Sequence, residues 1–491
     1  MSPKEMLSLA LENHTQKKFN VAINLYNEVL KITPNVSDVH NHLGLALQSI
    51  GENLKAIDCY EKAIKINPSL ALAHFNLGVI LQLSGNLKKA LNCYEKAIEI
   101  DPNYIPSQHN LGTVLKDLGE DQKAIDCFER VLKIDPASTI SQKSIAAIYI
   151  SQLKYLKKAI ISSYKSLRLH NESIKFINPS IPLFRLKHDV QQAEYISQIN
   201  NNDSWKLTKT GDFKKSASDK FHEIGNKILN RKENKENDND SNKLVLLNKD
   251  EINSLLPFYK EYHIYQPKEI SGSCINPNKN WQDVEDEYLN SSKKIMFIDD
   301  FLSDEALQEL REFCLVSTVW NQSFKNKYLG AFSDSGFISQ IHLQIAIDLK
   351  KKLPKLFGPH KLGKFWGFKY DSSLGKGINI HADFAIHNLN FWITPDEYNN
   401  DKNSGGLKIY DVPAPDHWTF KEYNNSKDVI YKFLKDSNAN CINIPYKFNR
   451  AVLFNSAYFH ETDEIDFKDD YQGRRINNTY LFGNRLVKSM N

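Results

Sequence analysis

No two cysteines in this chain are spaced C-x-x-C, and there are only six in 491 residues. That argues against a zinc ribbon or a disulfide framework and leads us to expect a reducing, cytoplasmic setting. No run of about 18 apolar residues is present, so no membrane-spanning helix is expected. The first residues, MSPKEMLSLALENHTQKK, lack the apolar core of a secretory leader. Charge of one sign is scarce too. With 63 basic against 59 acidic residues the net charge is only +4, too little for a chain-wide nucleic-acid footprint. What remains is globular composition, 41% hydrophobic and 25% charged, at a length that exceeds one hydrophobic core.

The strongest internal signal is a repeat. Pro34, Pro68, Pro102 and Pro136 fall 34 residues apart, as do Tyr26, Tyr60, Tyr94 and Phe128. Ala22, Ala56, Ala90 and Ala124 form a third series, and Gly44, Gly78 and Gly112 a fourth. Small residues let two helices of a hairpin approach, an aromatic fills the gap, and proline ends the second helix because it cannot continue the ladder. The pattern resembles the tetratricopeptide repeat. Four repeats span about 1–136, and a fifth, Ser141 to Leu167, lacks the glycine and the final proline. The resemblance implies an all-α solenoid over residues 1–170 with a degenerate last repeat, and a concave face for a protein or peptide partner. Cys59, Cys93 and Cys127 recur beside the aromatic and read as packing thiols.

Residues 171–260 read as a helical cap followed by a polar linker. SIPLFRLKHDVQQAEYISQI has apolar residues at helical spacing, and its neighbours His188 and Asp189 read as surface or packing residues, not as ligands. NRKENKENDNDSNK, 230–243, has no apolar residue and reads as a loop or disordered linker. LVLLNKDEINSLLPFYKEY suggests a short strand or turn and then a helix.

From about Lys293 short strands take over. KKIMFIDDF predicts a strand, and Ser303 an N-cap for the following helix. FISQIHLQIAIDLKKKLPKLFG predicts an amphipathic helix ending at Pro354, its lysine run a solvated end. GKFWGFKYDSSLG predicts a strand and a turn. GINIHADF, NLNFWITP, SGGLKIYD, RAVLFNSAYFHET and INNTYLFG predict one strand each, together a double-stranded β-helix or jelly roll with flanking helices. In a strand, residues i and i+2 share a face, so His381 and Asp383 would converge while Ala382 turns away. With His460 they supply two imidazoles and a carboxylate, a facial set that holds Fe(II) and leaves positions open.

In this order and spacing, HAD at 381–383, GGL at 405–407, the approach VLFNSAYFH and the later Arg-x-x-x-Thr resemble the Fe(II)- and 2-oxoglutarate-dependent dioxygenases. The likeness covers residues 293–483 and is nearest to their prolyl 4-hydroxylase-like branch, in a domain placed at 261–491. It implies His381, Asp383 and His460 as catalytic metal ligands, with 2-oxoglutarate and O2 as cosubstrates and ascorbate as a candidate reductant. Arg475 would grip the cosubstrate's far carboxylate by its guanidinium fork. Arg474 is the rival, and Arg475 is preferred because Thr479 then shares its face. Tyr370 sits where relatives hydrogen-bond the cosubstrate. His387, Trp366, Asn390 and Trp392 are candidate pocket or core residues, and HETDEIDF a candidate lid. The implied reaction couples decarboxylation of 2-oxoglutarate to hydroxylation of a C–H bond, on a protein or peptide brought by the repeats. Two alternatives stay open: a repeat scaffold with an oxygen-sensing or inactive oxygenase domain, and oxidation of a small molecule.

Overall fold

The 34-residue period becomes a series of helical hairpins. In the computed structural model, residues 1–174, 177–199, 215–235, 243–260, 262–371 and 377–485 are described. The second helices of the first four hairpins, Phe19–Ile32, Asn53–Ile66, Leu87–Ile100 and Asp121–Ile134, all have 14 residues. Each stops two residues before its proline. Within a hairpin the glycine lies under the ring: a Cβ on Gly44 would meet Tyr60 at 2.6 Å, and one on Gly78 would meet Tyr94 at 2.7 Å. Gly51, Gly85 and Gly119 take the left-handed turn between helices, where the first repeat places Lys17 and the fifth places Leu153. Without a proline at 170 the fifth hairpin's second helix, Leu156–Glu172, runs on to 17 residues.

The chain forms two units, Met1–Ile148 and from Tyr149 onward. The helix Leu156–Glu172, which the repeat pattern assigns to the solenoid, is built into the second unit. Ser163 Oγ donates to the Ser333 carbonyl at 2.7 Å and accepts from the Gly336 amide at 2.8 Å. Tyr164 donates to the Ile338 carbonyl at 2.8 Å, and Leu167 is fully buried. The segment expected as a cap, 171–260, also joins this unit. Helix Leu183–Ile199 buries His188 and Asp189, so they are packing residues and not surface ones. The Asp189 carboxylate accepts from Arg185 at 2.6 Å, Tyr259 at 2.7 Å and His188 at 2.9 Å. The linker's described part includes a short helix, Lys232–Lys235; 236–242 lie outside the described residues.

Twelve strands are found among the described residues. β1 (Ser180–Pro182) pairs with β2 (Leu244–Leu246), and helix Lys249–Lys260 follows as expected. A seven-stranded antiparallel sheet contains β3 (Ile295–Ile298), β4 (Gln322–Phe324), β5 (Tyr328–Phe332), β6 (Leu362–Tyr370), β7 (His387–Trp392), β10 (Ala451–Asn455) and β12 (Ile476–Phe482). Its order is β3-β10-β7-β12-β6-β5-β4, with β12 central. A three-stranded antiparallel sheet runs β11 (Tyr458–Thr462), β8 (Leu407–Pro413), β9 (Cys441–Ile444).

β12 alternates cleanly between two sides. Ile476 and Tyr480 enter one core together with helices Asp304–Val316 and Gln340–Lys352, while Asn477 and Thr479 face the other way. Ser303 caps the first of these helices, accepting from the Ala306 amide. The second ends at Lys352, two residues short of Pro354; Lys351 and Lys352 are exposed as expected, while the half-buried Lys350 donates to the Phe357, Gly358 and His360 carbonyls. A second core draws Trp392, Val452 and Phe454 from the large sheet and Leu407, Ile409 and Ile444 from the small one. The stretch RAVLFNSAYFHET makes two strands and not one, because a turn at Ser456–Ala457 moves the chain from one sheet to the other. The turn predicted in YDSSLG falls at 372–376, outside the described residues.

Candidate functional site

GINIHADF is not a regular strand. His381 and His460 exchange both backbone hydrogen bonds, at 3.0 and 2.8 Å, but this bridge is isolated. The ladder does not continue, because the Asp383 amide goes to the Ser456 carbonyl in the turn before β11 at 3.0 Å, while the Ala382 amide, on the other side, goes to the Tyr423 carbonyl at 3.0 Å. Alternation still operates: His381 and Asp383 line the pocket, with His460 opposite.

The ligand atoms of His381, Asp383 and His460 all lie within 4.8 Å of one another, the one such group of His, Cys, Asp and Glu found among the described residues. Backbone carbonyls set both imidazoles. His381 Nδ1 is 2.8 Å from the Asn379 oxygen, and His460 Nδ1 is 3.0 Å from that of Tyr458. A carbonyl only accepts, so each Nδ1 carries the hydrogen, which leaves Nε2 as the ring nitrogen that can bind a ligand. Such second contacts fix ring orientation in metal sites. Asn388, fully buried, donates to Asp383 Oδ2 at 2.7 Å. Burial pushes the His460 imidazole well below its usual range and raises the Asp383 carboxyl. Two imidazole nitrogens and one carboxylate oxygen fit a divalent transition metal.

On the same pocket lies Arg475, 1% exposed. Its Nε donates to the Gly405 carbonyl at 2.6 Å and its Nη1 to Asn477 Oδ1 at 3.4 Å. The guanidinium carbon is 4.8 Å from the Tyr370 ring centre, 5.6 Å from Trp392 and 5.8 Å from Tyr446. Among the described residues no carboxylate lies within ion-pair distance of Arg475. Burial lowers its pKa, as expected for a cation held in an apolar wall. The neighbouring Arg474 points elsewhere: it donates to Gln191 at 2.8 and 3.1 Å and lies 3.9 Å from Asp371.

The glycine pair explains the close approach. A Cβ on Gly406 would sit 1.9 Å from the Ile444 carbonyl, and Gly405 has φ +79°, so glycine at both lets the bend that leads into β8 present their carbonyls to Arg475. Tyr370 and Thr479 line the same pocket, and Thr479 Oγ1 accepts from Asn390 at 2.9 Å. Burial raises the Tyr370 hydroxyl.

Of the other candidates, Trp366 and Asn390 line the pocket, while Trp392 lies fully buried behind Arg475. His387 packs on Tyr288, Phe357 and His360, away from the triad. HETDEIDF is not a lid: Ile465 and Phe467 enter the core between the sheets, and Asp463 pairs with Lys408 at 2.7 Å. Sequence reasoning missed Asn477, which donates to Asn390 at 3.1 Å. Its position two residues from both Arg475 and Thr479 was the available signal.

No helix among the described residues is long and apolar enough to cross a membrane. Sequence profiles of the tetratricopeptide repeat match residues 49–85, 71–104 and 93–126. No curated protein matches the chain. Solved structures similar to it include MamA, 26% identical, covering 34% of this chain and 96% of that one with a TM-score of 0.33. YrrB, described as a repeat protein with an unusual peptide-binding site, is 18% identical over 34% of this chain and 87% of its own, TM-score 0.31. A thermophilic repeat protein from Thermus thermophilus is 20% identical over 35% and 94%, TM-score 0.29. The N-terminal unit is thus an array of tetratricopeptide repeats.

Proposed function

We propose that the two sheets form a double-stranded β-helix and that the C-terminal unit is an Fe(II)- and 2-oxoglutarate-dependent hydroxylase. One observation carries this reading. Two imidazoles and a carboxylate converge in the pocket that also holds a buried guanidinium with no carboxylate within ion-pair distance among the described residues. A buried unpaired cation is costly, and a dianionic cosubstrate spanning metal and guanidinium would supply its partner. When bound, the iron would activate O2 as the oxidant, with 2-oxoglutarate, oxidised to succinate and CO2, supplying two of the electrons and the C–H bond the other two.

The protein's own part is placement. His381, Asp383 and His460 would hold the metal on one side only. Arg475 would take a carboxylate two-pronged, with Tyr370 and Thr479 hydroxyls beside it. Asn477, Asn390 and Thr479 bond to one another, so this wall is set before a ligand arrives. The repeats would recruit a protein or peptide substrate. Taken alone they favour a second reading, a binding scaffold whose C-terminal unit is silent.

Purified full-length protein with Fe(II), ascorbate and cell extract should convert 2-oxoglutarate to succinate, and His381→Ala should not. Equal succinate from both proteins would sink the enzyme reading. Loss of partner capture and of extract-dependent succinate on deleting 1–148 would assign substrate recruitment to the repeats, and unchanged turnover would refute it.

A further inference from the structure

Residues 414–440, between β8 and β9, carry two helices, Phe420–Asn425 and Lys427–Asp436, that the strand pattern does not call for. They lie on the side of the ligand-bearing segments that faces away from the pocket. Alternation decides which residues meet them. Where His381 and Asp383 turn into the pocket, Ile380 and Ala382 turn outward, and where His460 turns in, Phe459 and Glu461 turn out.

Each outward residue is held by the insertion or by β8 beside it. Ile380, Ala382 and Phe459 share a buried apolar cluster with Ile430 and Leu434 of the second helix. The Ala382 amide donates to the Tyr423 carbonyl at 3.0 Å, and its carbonyl accepts from Asn424 Nδ2 at 3.0 Å. The residue between two ligands is therefore bonded at both backbone groups by the insertion, where a regular strand would use a neighbouring strand. Next to the third ligand, the Glu461 carboxylate accepts from Tyr431 of the second helix at 2.8 Å and from Tyr410 of β8 at 2.9 Å.

We propose that the 414–440 insertion is the positioning element of the triad: it sets the spacing of His381, Asp383 and His460, and so the metal affinity, without touching the metal. This rests on the metal reading given above. Asn424 and Tyr431 are positioning residues in it. Contacts one layer behind a metal's ligands typically change its affinity about 10- to 100-fold.

The test is a Co(II) titration of the full chain, followed by visible absorption and calorimetry, with the thermal midpoint as a control. Wild type should bind one Co(II), and His381→Ala should not. Asn424→Ala should weaken binding about 10-fold or more with little change in midpoint, and Tyr431→Phe less. Asn424→Asp, similar in shape but without the N–H donor, should match the alanine variant. Independently of metal, the His381 and His460 amides should exchange hydrogen faster in Asn424→Ala. If Asn424→Ala and Tyr431→Phe bind Co(II) like wild type while His381→Ala does not, this proposal is overturned and the metal reading stands. If wild type binds no better than His381→Ala, both fall.

Discussion

Arg475 occupies a wall of three aromatic rings and backbone oxygens with 1% of its surface exposed. A cation there that serves an anionic ligand should be worth far more to binding than to folding. Arg475→Met is expected to weaken 2-oxoglutarate binding about 100-fold, from the 2–5 kcal/mol scale of a severed buried charge contact, while the denaturation midpoint moves little. Calorimetry and urea unfolding on the same protein check both halves. Arg474→Met should do the opposite, because its guanidinium binds Gln191 inside the second unit. Buried histidines give a second prediction. Burial lowers His342 to about 3 and His263 and His387 to about 4. Unfolding returns each to about 6.5, so the unfolded chain binds more protons between those values. Stability is therefore complete above about pH 6.5 and falls as pH drops toward 4, by up to about 1.4 kcal/mol per pH unit for each proton taken up. His342→Gln should flatten that slope in thermal melts of the full chain from pH 7 to 5.

Where a strand edge is crowded by backbone, a single methyl becomes a problem for a whole element. Gly406→Ala would drive a Cβ against the Ile444 carbonyl and force apart the Leu407–Ile444 pair that opens the small sheet. A loss of a few kcal/mol is expected, read as a lower urea midpoint together with lost anion binding, because Arg475 is bonded to the adjoining carbonyl. The sequence was most legible at this scale where one chemical demand fixes a residue. Glycine under tyrosine, proline after each second helix, Ser303 at its cap and the His-x-Asp, Gly-Gly and Arg-x-x-x-Thr pieces all announce local geometry. It was least legible where tertiary partners decide. GINIHADF alternates like a strand, yet its Ala382 amide is taken by Tyr423, some forty residues on. The helices at 420–436 are short, and β9 is only the four residues CINI, so neither has a period long enough to see. Arg475 was preferred to Arg474 because Thr479 shares its face, and it is Arg475 that lines the pocket with Thr479.

At the scale of the molecule, the repeat pattern and the packing divide the chain at different points. The helix Leu156–Glu172 has the fifth repeat's place in the sequence but contributes Ala159 and Leu167 to the core that holds Leu310, Phe313 and Ile345. A fragment of residues 149–491 should therefore melt cooperatively. One of 261–491 should not, since it would strip Trp320 of the carbonyl contact to Arg185 and Arg474 of Gln191. Circular dichroism melts of the two fragments distinguish these outcomes. The glycine-under-ring hairpins described at the outset also make the array's length quantised. Excising residues 51–84, a cut through the middle of two hairpins, would bring Tyr94 to the place of Tyr60 above Gly44, and the spliced array should fold. Excising one residue fewer or more breaks the tight left-handed turn that Gly51 and Gly85 make between the helices, displaces the ring from the glycine, and should not fold. Such a chain can gain or lose reach only in whole steps, and a lineage of such arrays would differ in number before it differed in shape.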